Sequence, residues 1–123
     1  MIAKNAAQAR AWYARSAAAR HPGGMASFGI YLLFGSGGPR DIALGLVNLM
    51  DSALLGSDFA AYQLGQASFR GSFGLPIDFV RARFWLKKAV TGECEVKHLT
   101  DKAIADAANW LRELDGRKLE FKS

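Results

Sequence analysis

Apolar residues fall into six helix-length blocks along the chain, separated by clusters of Gly, Pro, Ser and Asp. The blocks predict helices near 4–20, 24–34, 41–55, 58–70, 78–91 and 100–114. No run alternates apolar and polar residues for long enough to argue a strand, so the expected class is all-α. Residues able to accept from orphan helix N–H groups stand at the predicted starts: Asp41, Ser57 or Asp58, Asp78, and Thr100 or Asp101. From Asp115 onward the tail reads as a helix stop and a frayed terminus.

The blocks repeat. Phe28-Gly29 falls on Leu64-Gly65 at an offset of 36, and at the same offset Gly35 falls on Gly71 and Gly56 on Gly92. The loop from Gly35 to Asp41 matches the loop from Gly71 to Asp78 with one inserted residue, after which Gly45 falls on Ala82 and Asn48 on Trp85. The same offset backwards leads from Asp41, Gly45 and Asn48 to Asn5, Ala9 and Trp12, so the chain opens partway through a repeat. The spacing Ala-x-x-Trp occurs at Ala9/Trp12, Ala82/Trp85 and Ala107/Trp110. That phase assigns all three tryptophans to the core rather than to an aromatic cage.

Each unit has the physical content of a helix pair. A first helix carries Gly29 or Gly65, and a mid-helix Gly costs about 1 kcal/mol against Ala unless a neighbouring backbone must come close. A Gly-rich turn ending in Asp41 or Asp78 follows, and a second helix carries a small residue and then an aromatic.

The unit from Ala60 to Gly92 resembles the Sel-one-like repeat family, relatives of the tetratricopeptide repeats. The resemblance rests on Ala61, Leu64, Gly65, Gly71, Gly74, Pro76, Asp78, Ala82, Trp85, Lys88, Ala89 and Gly92. The unit from Met25 to Gly56 matches less well, with Asn48 in place of the aromatic and Gly45 in place of Ala. The resemblance covers roughly residues 5–92. It implies a single domain: a short right-handed α-solenoid of antiparallel helix pairs. A half repeat over 4–20 precedes full repeats over 24–56 and 58–92, and a degenerate capping helix and tail occupy 93–123. An opening in mid-repeat reads as the loss of an upstream segment, which favours the periplasm if that segment was a signal peptide and the cytoplasm otherwise.

Composition narrows the class. Half of the 123 residues are apolar and 22 % are charged, which excludes disorder. The apolar stretch from Met25 to Gly56 is broken by Gly35, Gly37, Gly38, Pro39, Arg40 and Asp41, too soon for a membrane span. The N-terminus lacks a signal peptide's apolar core. A lone cysteine, Cys94, makes no internal disulfide, and with two histidines it leaves no metal site of usual spacing. The net charge of +5 comes entirely from Lys4, Arg10, Arg15, Arg20 and Arg40, because residues 41–123 carry 11 basic and 11 acidic groups. Such a segment suits nucleic acid or an anionic surface, although arginines five residues apart do not stay on one helical face. As a solvated face, it supplies the polar cover that a terminal repeat needs.

Catalytic chemistry is not found. The run Gly35-Ser-Gly-Gly-Pro-Arg40 lacks the Gly-Lys-Ser/Thr ending of a phosphate-binding loop, and no strand precedes it. Cys94 lies between Glu93 and Glu95, neighbours that disfavour a thiolate nucleophile. His98, four residues on, makes a Cys/His pair only formally available. His21 reads as a helix-end residue beside a favourable dipole. No cofactor is expected.

The expectation is a non-catalytic module that binds another protein through positions its repeat consensus leaves unused. These are Ser27, Ile30, Tyr31 and Phe34 on one first helix, and Gln63, Gln66, Ala67 and Arg70 on the next. The competing reading packs the apolar ones under the N-terminal helix. The resemblance also implies bacterial settings: cell-envelope adaptors, and immunity proteins that neutralise type VI secretion phospholipase effectors. The alternative is nucleic-acid or anionic-surface binding through the basic first 40 residues.

Overall fold

A computed structural model describes residues 2–91, 94 and 97–117, with 2–4 as backbone alone. The Gly56–Gly92 match, the acids Glu93 and Glu95 and the tail beyond 117 lie outside the described residues. Six α-helices follow one another: α1 (Ile2–Ala18), α2 (Pro22–Phe34), α3 (Ile42–Leu54), α4 (Asp58–Arg70), α5 (Phe79–Val90) and α6 (Asp101–Gly116). One 3₁₀ turn, Ser72–Gly74, lies between α4 and α5, and no strand occurs among the described residues.

The most extensive contacts join α2 to α3 and α4 to α5, and each pair then leans on its chain neighbours. This is a helical solenoid of stacked pairs. The crossing points are where the repeated glycines stand. A Cβ at Gly29 would lie 2.9 Å from the Gly45 carbonyl oxygen, and one at Gly65 would lie 2.7 Å from Leu86 Cγ. Close backbone approach is therefore what the mid-helix glycines provide. Ala82, the match of Gly45, is fully buried at the second crossing.

The turns repeat in detail. Gly35 and Gly71 close α2 and α4 in the left-handed region, at φ 68° and 70°. Asp41 and Asp78 cap α3 and α5 with nearly identical dihedrals, accepting from Leu44 N and Arg81 N at 3.0 Å. Their own amides donate to Leu32 O and Ser68 O, which are themselves repeat-matched. The insertion after Gly71 accompanies the 3₁₀ turn. There Phe73 holds a positive φ of 59°, where its match Gly37 has 69°. A non-Gly residue in that region costs about 1–3 kcal/mol. Its ring meets Phe34 edge-on at 5.4 Å.

One buried cluster runs through α2, α3 and α4, around Leu33, Leu49, Ala53, Ala60 and Leu64. A second joins α5 to α6 through Ala82, Leu86, Ala107 and Leu114. Ser57 caps α4, which frees the adjacent Asp58 for another task. Its buried carboxylate accepts the amides of His98 at 2.7 Å and Leu99 at 3.2 Å, fastening the segment before α6 to the start of α4.

Several expectations are corrected. Trp12 is not a core residue: it is 68 % exposed and lines an open cleft on α1 with Arg15 and Ser16. Trp85 and Trp110 are half-buried against the two clusters. By order, α6 follows α5 as α4 follows α3, so Ala107/Trp110 stands on a first helix and does not repeat the second-helix pair. His21 is at once the N-cap residue of α2 and the residue whose amide closes the end of α1, donating to Ser16 O at 3.1 Å. α6 continues through Asp115 to Gly116.

Candidate functional site

The positions proposed for partner contact divide sharply. Ala67 is buried and therefore unavailable. Ile30 is half-buried against the first cluster. Tyr31 is half-buried, with its ring edge-on to Tyr13 of α1 at 5.2 Å, so it packs under the N-terminal helix. Ser27, Gln63 and Gln66 are half-buried. Phe34 is 62 % exposed, and its repeat match Arg70 is exposed as well.

Both exposed residues are held in place by rings. Phe34 rests on Phe73. Arg70 lies over the Trp110 ring at 5.3 Å, and that ring also lies nearly parallel to those of Tyr62 and Phe69, at 5.8 and 5.7 Å. Trp110 thus connects α6 to α4 and supports the Arg70 guanidinium from beneath. Trp110's contribution at this surface has no counterpart in the sequence reading, because α6 lies beyond the matched repeats.

A second apolar surface lies away from the first-helix positions. Leu44, Val47, Met50 and Leu54 are exposed along α3, and Ile77, Val80 and Phe84 are exposed just before and along the first half of α5. The sequence signal was available. In α3 only Asp51 carries a charge, so the helix has apolar side chains on its outer face as well as its inner one. Between α3 and α5 lies a cleft of about 230 Å³, floored by Leu46, Leu64 and Trp85, with Asp78 and Arg81 at its edge. That carboxylate and guanidinium are 3.4 Å apart.

The basic N-terminal residues have intramolecular partners. Arg10 donates to Ser36 O at 3.4 Å and Arg40 to Leu33 O at 2.8 Å. The Arg15 guanidinium is 6.0 Å from the Trp12 ring centroid, and Arg20 pairs with Asp51 at 3.9 Å. Cys94 is buried, with its thiol 3.4 Å from Lys88 O, while exposed His98 lays its ring beside Gly23. Among the described residues no cluster of His, Cys, Asp and Glu is arranged to hold a metal ion, and no helix is long and apolar enough to cross a membrane.

The model of the Sel1 repeat family matches residues 1–21, 24–47 and 58–92, more than half of the chain. No curated protein matches it. Sel1 repeats are non-catalytic protein–protein interaction modules. The matched stretches cover α1, α2 with the first half of α3, and the α4–α5 pair, whose glycine crossings and Asp caps recur in register: the chain belongs to the Sel1 repeat family.

Proposed function

We propose that the chain binds a partner protein on the first-helix face of α2 and α4, with Phe34 and Arg70 as anchors and Ser27, Ile30, Tyr31, Gln63 and Gln66 around them. One observation carries this reading. The two repeat-matched positions left unused by the core are a Phe and an Arg, each exposed and each steadied by an aromatic ring. Aromatic and Arg side chains dominate binding energy at interfaces. A side chain already held in place loses less conformational freedom on binding. The partner classes follow the family resemblance: a type VI secretion phospholipase effector, which would make the chain its immunity protein, or a cell-envelope component.

The apolar stripe along α3 supports a second docking face, since contiguous exposed apolar surface marks interaction sites. The test is affinity capture from bacterial lysate with three baits: wild type, Phe34→Ala/Arg70→Ala, and Val47→Glu/Leu54→Glu. Each variant is first checked for unchanged helicity. One stoichiometric protein, lost only with the Phe34/Arg70 variant, supports the first-helix face, and a phospholipase among the captured proteins supports the immunity role. Loss only with the Val47/Leu54 variant moves the site to α3. Nucleic acid retained by wild type and released by salt, with no protein, overturns both.

A further inference from the structure

Two rings and two guanidinium groups gather where α2 and α4 stop. Phe34 is the last residue of α2 and Arg70 the last of α4. Phe73 follows in the turn after Arg70, and its ring meets that of Phe34 edge-on at 5.4 Å. Arg40 donates through Nε to Leu33 O at 2.8 Å, so its guanidinium also stands beside the end of α2. Among the described residues, neither Arg70 nor Arg40 pairs with a carboxylate.

The acids of these two pairs are engaged elsewhere. Asp41 and Asp78 accept the amides of Leu44 and Arg81, and Asp78 also faces the Arg81 guanidinium at 3.4 Å. Asp58 is buried at the opposite end of α4, on the amides of His98 and Leu99, and α2 carries no charged residue. Arg70 is therefore an uncompensated charge on the first-helix face. Trp110 holds its guanidinium at 5.3 Å, yet its N–H groups donate to no acceptor among the described residues. A guanidinium positioned by a ring keeps its planar fork of donors for a carboxylate. Phe73 points to the same place. It holds φ at 59° where its repeat match is a glycine, and backbone strain of that kind clusters at ligand clamps.

We infer that the partner presents an acidic segment here: an Asp or Glu side chain on the Arg70 guanidinium, beside an apolar or aromatic residue on Phe34 and Phe73. The inference rests on the first-helix reading and adds to it the chemistry of the partner. Charge selects the occupant. A carboxylate on Arg70 takes two parallel charge-assisted hydrogen bonds, and Arg40 adds attraction from the end of α2. A neutral segment would strip water from the Arg70 donors and return no acceptor, which costs free energy. A basic segment would meet two guanidinium groups that no acid offsets.

Selection of a random peptide library tests it on the full chain and on the Phe34→Ala, Arg70→Gln and Arg70→Glu variants, with circular dichroism confirming equal helicity. Peptides retained by wild type and lost on Phe34→Ala should carry Asp or Glu next to an apolar residue. Changing that acid to its amide in a synthetic peptide should weaken binding roughly tenfold or more. On Arg70→Gln the acid and the amide should bind alike, and selection on Arg70→Glu should enrich Lys and Arg instead. Phe34-dependent peptides without an acid, or an acid whose effect persists on Arg70→Gln, overturn the inference and leave the first-helix face standing. A phosphoserine that binds more tightly than the acid it replaces overturns the carboxylate assignment. No Phe34-dependent peptide at all overturns both the inference and the face.

Discussion

The α4–α5 crossing makes a quantitative prediction. Gly65→Ala places a methyl 2.7 Å from Leu86 Cγ, 2.9 Å from Leu86 Cδ2 and 3.1 Å from the Leu86 backbone nitrogen. Optimal carbon contacts lie at about 3.5–4.0 Å. Leu86 is fully buried and cannot swing away, so α5 itself must shift. Overpacking of this kind costs about 1–3 kcal/mol, at the upper end where backbone moves. Replacing a mid-helix Gly returns about 1 kcal/mol of helix propensity. The net expectation is a loss of about 1–2 kcal/mol, a fall in Tm of roughly 3–8 °C for a chain of this size. Gly116→Ala, with nothing within 4 Å of the new methyl, should instead raise stability by up to about 0.5–1 kcal/mol. Urea unfolding followed by circular dichroism measures both. A double-mutant cycle isolates the clash. Leu86→Ala alone loses about 2–5 kcal/mol, and the Gly65→Ala/Leu86→Ala variant should lose about 1 kcal/mol less than the sum of the two singles. Wild-type stability in Gly65→Ala, or strict additivity in the double variant, would refute the close-approach explanation of the repeated glycines.

Two further predictions concern the polar fastenings. Asp41→Ala and Asp78→Ala should each lose about 1 kcal/mol, equal within a few tenths and additive together, because the two caps share one geometry and sit in separate pairs; unequal losses in urea unfolding would show that the turns are not equivalent. Asp58→Ala removes the acceptor of the His98 and Leu99 amides and should lose about 2–4 kcal/mol. Hydrogen exchange should show those two amides deprotected more than the α2–α3 pair, and uniform deprotection would refute a local clasp.

The helices and their caps were legible because repeat matching and local chemistry pointed the same way. Gly29, Gly65, Asp41 and Asp78 each do in three dimensions what their spacing and residue type implied. Asp58 was not legible, since a capping residue and a long-range acceptor look alike until Ser57 takes the cap. The binding positions were only half legible. Repeat phase identifies the face on which Tyr31 and Phe34 stand, but their fates differ through contacts the repeat does not specify: Tyr13 reaches one, and the loop residue Phe73 steadies the other. The stripe on α3 is hidden from repeat phase, because a helix with apolar side chains all round has more of them than one crossing can bury, and phase does not say which stay outside.

Trp12 and Trp85 show why a matched position is not a matched environment. Both stand three residues after an alanine on a second helix. Trp85 lines a cleft whose floor comes from the preceding pair, Leu46 and Met50 on α3, and from its own first helix at Leu64. Trp12 has the same register and neither neighbour, so 68 % of it meets solvent. In a solenoid each unit buries its apolar face on its neighbours, so the burial of a position is set by the helices packed beside it and not by its repeat phase alone.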